Sequence, residues 1–214
     1  MLTRVFSVII FYIMFSNGVI AQIGIGIQLG ANINTRTNYN YNDFIRFEGD
    51  PYKYNEPMQL SYNIGVLLDY KLSDRFVLSF APGYTEKKYK LDFEGIDPSE
   101  ISKMRFFKIP VRLMYNFYDS GDFQHFIQGG FGVEIFSSGK GETEGVSESK
   151  MHSLENETLF VCELGLSSEY LFNEKFKLRL TALFSHSFNS YSEMRDGKIK
   201  MLDYYLTAGI LYSL

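Results

Sequence analysis

The sequence predicts an all-β chain: an eight-stranded antiparallel up-and-down transmembrane β-barrel, preceded by a cleaved signal peptide. Three observations predict it. Apolar and polar residues alternate with period two, over segments long enough to cross a bilayer. The connections between these segments alternate between short and long. The chain opens on an export signal, and no other stretch holds the roughly 20 apolar residues of a membrane-spanning helix. Every backbone N–H and C=O inside a bilayer needs a partner within the protein, so a chain that crosses with strands must close them into a barrel.

The export signal comprises residues 1–21. Arg4 supplies the positive start, Val5 to Phe15 form the apolar run, and Val19, Ile20 and Ala21 precede cleavage before Gln22. Residues 22–214 are then one barrel domain. The first strand is expected over 22–32, with Ile23, Ile25, Ile27 and Leu29 on one face and Gly24, Gly26, Gln28 and Gly30 on the other. The second, 59–72, alternates most cleanly: Leu60, Tyr62, Ile64, Val66, Leu68 and Tyr70 face away from Ser61, Asn63, Gly65 and Asp69. Further strands are expected over 76–91, 105–118, 123–137, 158–172, 176–189 and 202–214. Turn-forming residues join them in pairs at Ser73-Asp74, Asp119-Ser120-Gly121-Asp122 and Asn173-Glu174. The other connections, 33–57, 92–103, 139–157 and 191–201, are long and polar. Short turns on one rim and long loops on the other is the layout of an outer-membrane barrel, with both termini on the periplasmic rim. Pro82 and Pro110 fall inside strands, and each predicts a bulge or a locally broken ladder.

Alternation alone does not say which face points inward, because a soluble barrel of the lipocalin type alternates too. Charge decides it here. One face of most strands is nearly free of charge, whereas the other carries scattered Lys, Arg, Glu, Gln, Asn and Ser. The chain has 16 Tyr and 20 Phe without Trp, and rings such as Phe76, Phe123, Tyr170, Phe176 and Tyr212 gather near the short turns, as an interfacial girdle requires. The net charge of -4 provides no basic field for nucleic acid. The predicted location is the outer membrane, with membrane lipids as partners.

An eight-stranded barrel has an interior filled by side chains, so inward charges must pair. Glu169 lies near Lys177 and Arg179 by position, and Lys108 and Arg112 are placed to meet Glu134 and Glu163. This interior network reads as a structural plug; the alternative is a narrow pore or transporter. For catalysis, His186 falls on the apolar face between Phe184 and Phe188, while Ser185 and Ser187 point inward, which separates base from nucleophile. No catalytic residue, cofactor site or metal site is indicated, and the single cysteine, Cys162, excludes a disulfide framework. A lipid-modifying enzyme is the third and least supported function. The first long loop interleaves Asn with Tyr39, Tyr41, Tyr52 and Tyr54, a composition that suits a recognition surface.

The segment Phe106-Phe107-Lys108-Ile109-Pro110-Val111-Arg112-Leu113-Met114-Tyr115-Asn116-Phe117 resembles the Ile-Pro strand of the PorT-like outer-membrane β-barrel proteins of Bacteroidetes. The run Ile25 to Ile33 and the run Gln128-Gly129-Gly130-Phe131-Gly132-Val133 are similar to that family as well. The resemblance implies an eight-stranded outer-membrane barrel without catalytic residues. The family's namesake takes part in protein secretion, while most members have no assigned role; the leading expectation is a structural or interaction role linked to protein secretion or surface assembly, with a surface or secretion-machinery protein as partner. Leu214 departs from the terminal aromatic common in such barrels, with Tyr212 two residues earlier.

Overall fold

The computed structural model describes residues 23–39, 45–47, 50–52, 54–55, 57–93, 96–143, 149–151, 157–190, 192–194 and 197–214, with side chains at 23–35, 57–90, 101–141, 157–190 and 200–214. The expected export signal lies outside these residues.

Eight strands form the wall: β1 Ile23–Tyr39, β2 Gln59–Lys71, β3 in two parts (Phe76–Phe80 and Gly83–Phe93), β4 Ile96–Asp119, β5 Phe123–Thr143, β6 Thr158–Leu171, β7 Phe176–Ser187 and β8 Gly197–Ser213. Each pairs antiparallel with its sequence neighbours. The ring closes where β8 pairs β1, from Gly24↔Ser213 up to Tyr39↔Lys198. No edge is left open between the first and last strands.

The three short turns form at the expected residues, each held by a side-chain oxygen. Ser73 Oγ accepts from the Phe76 N–H at 3.2 Å, and Asn173 Oδ1 accepts from the N–H groups of Lys175 and Phe176 at 2.9 Å. In the third turn, Asp119 Oδ1 accepts from the Gly121 N–H at 3.0 Å and Oδ2 from Gln124 Nε2 at 2.8 Å. These two donors hold the Asp119 carboxyl below the ordinary carboxylate range. Gly121 has φ 81°, the left-handed conformation that favours glycine.

The two faces are those of a membrane protein. Leu29, Phe131 and Leu206 are more than 60% exposed, whereas Lys87 and Glu134 are fully buried in the interior. A soluble chain would not leave so continuous an apolar surface in water. On β8 the outward positions run Leu202, Tyr204, Leu206, Ala208, Ile210, Tyr212; at a tilt of about 40° that stretch is about 25 Å tall, the height of a barrel's lipid-facing band. Near the short turns the outward rings touch in pairs: Phe76–Tyr115 at 5.2 Å, Phe123–Tyr170 at 4.8 Å and Phe176–Tyr212 at 5.1 Å.

Pro82 and Pro110 share one break. The ladder between β3 and β4 lapses between Phe80↔Val111 and Gly83↔Lys108, with two residues skipped on each strand. Pro82 O accepts from the Val66 N–H at 2.9 Å and Pro110 O from the Ala81 N–H at 3.3 Å. The reciprocal bond of each pair would need an N–H that proline lacks. Register is unchanged across the gap, because equal numbers of residues are lost. On its other side Pro110 pairs Gly132 in regular register, so no bulge forms there. The bulges of β4 and β5 lie instead between Arg105 and Phe106 and between Asn116 and Tyr118.

The long connections differ from the open loops expected. β3 and β4 stay paired up to Phe93↔Ile96, so most of 92–103 is strand. Ser149–Met151 pairs with Gly139–Gly141 of β5, and Ser192–Met194 folds onto the start of β8. Of the proposed recognition tyrosines, Tyr39 ends β1, Tyr52 lies in a short pairing of Asp50–Tyr52 with Ile45–Phe47, and Tyr54 pairs Phe93. Tyr41, and the side chains of all four, lie outside the described residues.

Candidate functional site: the barrel interior

The inward residues stack in layers between the long-loop end and the short turns. Uppermost is an apolar cluster of Tyr89, Met104, Phe106, Leu159 and Met201, with Phe136 against Phe106 at 5.8 Å. It separates the charges beneath from the solvent at the loop end.

Beneath it lies the upper charge layer. Lys87 on β3 donates to Glu134 on β5 and to Asp203 on β8, both at 2.6 Å. Lys108 on β4 reaches Glu163 on β6 at 2.5 Å and Glu134 at 3.4 Å, and Arg112 donates to Glu163 at 2.5 Å. Asn34 Nδ2 donates to Asp203 at 2.7 Å, Tyr205 OH donates to Glu134 at 3.4 Å, and the Lys108 ammonium sits 4.0 Å from the Tyr205 ring centre. Lys87, Lys108 and Arg112 thus face Glu134, Glu163 and Asp203. Three cations meet three carboxylates, and the layer is neutral. That balance is what permits full burial, since an unpaired charge here would cost several kcal/mol.

Below it, Gln128 Nε2 donates to Ser167 Oγ at 2.6 Å, and Ser167 meets Thr181 at 2.7 Å. Leu67, Ala81 and Leu211 fill the opposite side. A second charge layer follows near the short turns. Arg179 on β7 bridges Asp69 on β2 and Glu169 on β6, and Lys177 lies 3.5 Å from Glu169. Two cations again face two carboxylates. Under this layer is a cavity of about 330 Å³ among the short turns, bounded above by Asp69, Glu169 and Arg179 and at the sides by residues such as Asn116 and Gln124. The space beside the upper layer, near Asn63, Thr85 and Lys108, is only about 20 Å³, enough for about one water molecule.

The structure therefore brings together all seven interior charges read from the sequence: Lys108 and Arg112 with Glu134 and Glu163, and Glu169 with Lys177 and Arg179. Sequence reasoning missed Lys87, Asp69, Asp203 and Tyr205. The ionic partners of Lys87, Asp69 and Asp203 stand across the barrel and not on adjacent strands.

Outside the interior, Ser185 and Ser187 are buried while Phe184 and Phe188 are exposed, so neither serine shares a face with His186. His186 and Cys162 are cross-strand partners on the lipid face, where the thiol approaches the His186 carbonyl at 3.6 Å. A His–Ser contact that the sequence did not reveal occurs elsewhere: His125 Nδ1 lies 2.8 Å from Ser168 Oγ across β5 and β6. It sits near the short turns against the rings of Phe117 and Tyr118. Among the described residues no group of His, Cys, Asp and Glu is arranged to hold a metal ion.

Solved structures with the same architecture include the outer membrane protein OprG from Pseudomonas aeruginosa, at 14% identity with 89% of this chain and 95% of that one covered and a TM-score of 0.50. A major outer membrane protein from Thermus thermophilus matches at 12% identity, 90% and 99% coverage and a TM-score of 0.50. Neisserial surface protein A matches at 15% identity, 88% and 96% coverage and a TM-score of 0.48. At such identities the likeness to the first two shows the fold alone. No curated protein matches the chain. The family model for the outer membrane protein beta-barrel domain matches residues 15–213. A closed ring of eight strands, a charge-free outer band and that match over nearly the whole chain give one conclusion: the protein belongs to the outer membrane protein beta-barrel domain family and resides in the outer membrane.

Proposed function

We propose that this barrel is a non-conducting, non-enzymatic protein of the outer membrane, with a structural or interaction role in surface assembly or protein secretion. The single observation that carries the reading is the upper charge layer. Lys87, Glu134 and Asp203 are at most 1% exposed and roofed by Phe106, Met104 and Met201, so an ion would have to break charge-assisted bonds to pass. With the interior committed to holding the wall together, specificity is left to the segments beyond the loop end, including Tyr39, Tyr41, Tyr52 and Tyr54. The Ile-Pro strand supports a PorT-like assignment, and with it the link to secretion.

Planar-bilayer recording tests the closed interior. The expected result is no steady single-channel current; large, stable openings would favour the pore reading, which the 330 Å³ cavity among the short turns otherwise supports. Crosslinking in native outer membranes tests the interaction role, with a discrete protein partner expected and its loss on trimming residues 35–54. The enzymatic alternative has one candidate contact among the described residues, His125–Ser168, and there no described carboxylate is seen to hydrogen-bond the imidazole. Equal rates of lipid-ester hydrolysis for wild type and Ser168→Ala are expected; a drop with the variant would refute the non-enzymatic reading.

A further inference from the structure

The break between β3 and β4 leaves a carbonyl of the wall without its ladder donor. Ala81 and Pro110 face each other there, and the Ala81 N–H donates to Pro110 O at 3.3 Å. The return bond would run from the Pro110 nitrogen to Ala81 O, and that nitrogen carries no hydrogen. The break lies at membrane depth: Val66 and Val111 beside it point outward and are about half exposed to lipid. Hydrocarbon offers no donor, so one for Ala81 O has to come from the interior.

The interior side of the break has both room and unused hydrogen-bonding groups. Ala81 lines the space of about 20 Å³ beside the upper charge layer, together with Asn63, Gly83, Thr85, Lys108 and Tyr205. Glycine at position 83 keeps that space open, because a Cβ there would stand 2.5 Å from Ile64 O. Asn63 and Thr85 pair across β2 and β3, and both side chains are more than nine-tenths buried. Asn63 Nδ2 has no acceptor among the described residues, and Thr85 Oγ1, beside the Tyr205 hydroxyl, completes no hydrogen bond. Lys108 is committed to the carboxylates, at 2.5 Å from Glu163 and 3.4 Å from Glu134. A donor without an acceptor and a carbonyl without a donor thus border one small space. Leaving both unmade is costly in a barrel interior. A buried water requires about 10–15 Å³ and two to four polar partners, and this space supplies both.

We propose that a water molecule is a resident part of the wall at the proline break. It accepts from Asn63 Nδ2 and donates to Ala81 O, with Thr85 Oγ1 as its second acceptor. It delivers from the interior the hydrogen that Pro110 cannot, and so lets a proline stand at membrane depth in a closed barrel.

The first test is a crystal structure of the full chain grown from a lipid mesophase. An ordered water within hydrogen-bond distance of both Asn63 Nδ2 and Ala81 O is the expected result. Direct donation to Ala81 O by Lys108, or an ordered break without that water, would overturn the proposal. A double-mutant cycle read by urea unfolding in phospholipid vesicles probes the same bridge without crystals. Asn63→Leu removes the donor that holds the water, and Pro110→Ala gives Ala81 O an N–H of its own. Asn63→Leu is expected to lower the unfolding midpoint by about 0.5–1 M in the wild-type chain, and by less than about half as much in the Pro110→Ala chain. Equal shifts in the two chains would overturn the bridge. Should Asn63→Leu fail to assemble, the wild-type crystal structure decides alone.

Discussion

Replacing Lys87 with Met keeps the length of the side chain and removes its charge from the most buried point of the barrel. The upper layer then holds Lys108 and Arg112 against Glu134, Glu163 and Asp203, one carboxylate in excess. Breaking a buried pair by removing one partner costs about 3–5 kcal/mol. Here the lower end applies, because Glu134 keeps Lys108 at 3.4 Å and Asp203 keeps the Asn34 amide at 2.7 Å. With a urea dependence of about 1–3 kcal/mol per molar, a loss of about 3 kcal/mol moves the unfolding midpoint down by roughly 1–3 M. The assay is urea unfolding of the refolded barrel in phospholipid vesicles, followed by the gel mobility of unheated samples. Adding Asp203→Asn restores the balance of two cations and two carboxylates, so the double variant should regain most of the loss. An unchanged midpoint for Lys87→Met, or a double variant less stable than the single, would refute the charge-balance reasoning.

Other outcomes follow from local geometry. A Cβ at Gly130 would stand 2.1 Å from Val111 O, whereas one at Gly129 would meet nothing nearer than 3.6 Å. Gly130→Ala should therefore cost about 1–3 kcal/mol or block assembly, and Gly129→Ala should stay within about 0.5 kcal/mol of wild type, both by urea unfolding. Pro110→Ala supplies an N–H toward Ala81 O but frees the unfolded chain, so its stability should lie within about 1 kcal/mol of wild type. A loss of several kcal/mol in the same assay would show that the break is required. The Asp119 carboxyl, with its lowered pKa, should stabilise its turn at neutral pH and lose that contribution as pH falls through the lowered value. NMR titration of the side-chain carboxyl checks this, and a midpoint at or above the usual aspartate value of about 3.9 would contradict it.

The wall is legible because each strand has one face in lipid. Ile64 and Ser61 on β2, or Leu206 and Thr207 on β8, announce their sides through a strict period of two. Above the membrane that signal vanishes. The stretch from Glu100 to Lys103 pairs on both sides, yet its sequence carries no apolar stripe and reads as loop. In the interior, neighbours on adjacent strands are recoverable, as with Glu169 and Arg179, which pair directly in the ladder between β6 and β7. Contacts across the lumen are not. Lys87 meets Asp203 only because the ring closes with a given stagger, and that quantity belongs to the register of all eight strands together. Each proline signals a break on its own, but their sharing of one gap depends on the offset between β3 and β4.

The neutral layers also constrain how this protein reaches its native state. Lys87 and Asp203 are 116 residues apart, and Asp69 and Arg179 are 110 apart. A β-hairpin carrying Lys87 or Asp69 enters the bilayer without its counter-charge, at a cost of about 2.5–3.5 kcal/mol per charge at mid-membrane depth. Two hairpins bring a matched pair of their own, Lys108 with Glu134 in β4 and β5 and Glu169 with Arg179 in β6 and β7. The hairpin of β2 and β3, with Asp69 and Lys87, finds its counter-charges only once β7 and β8 are in place. The register therefore favours concerted entry over stepwise insertion, with these charges left in contact with water until the last strand arrives.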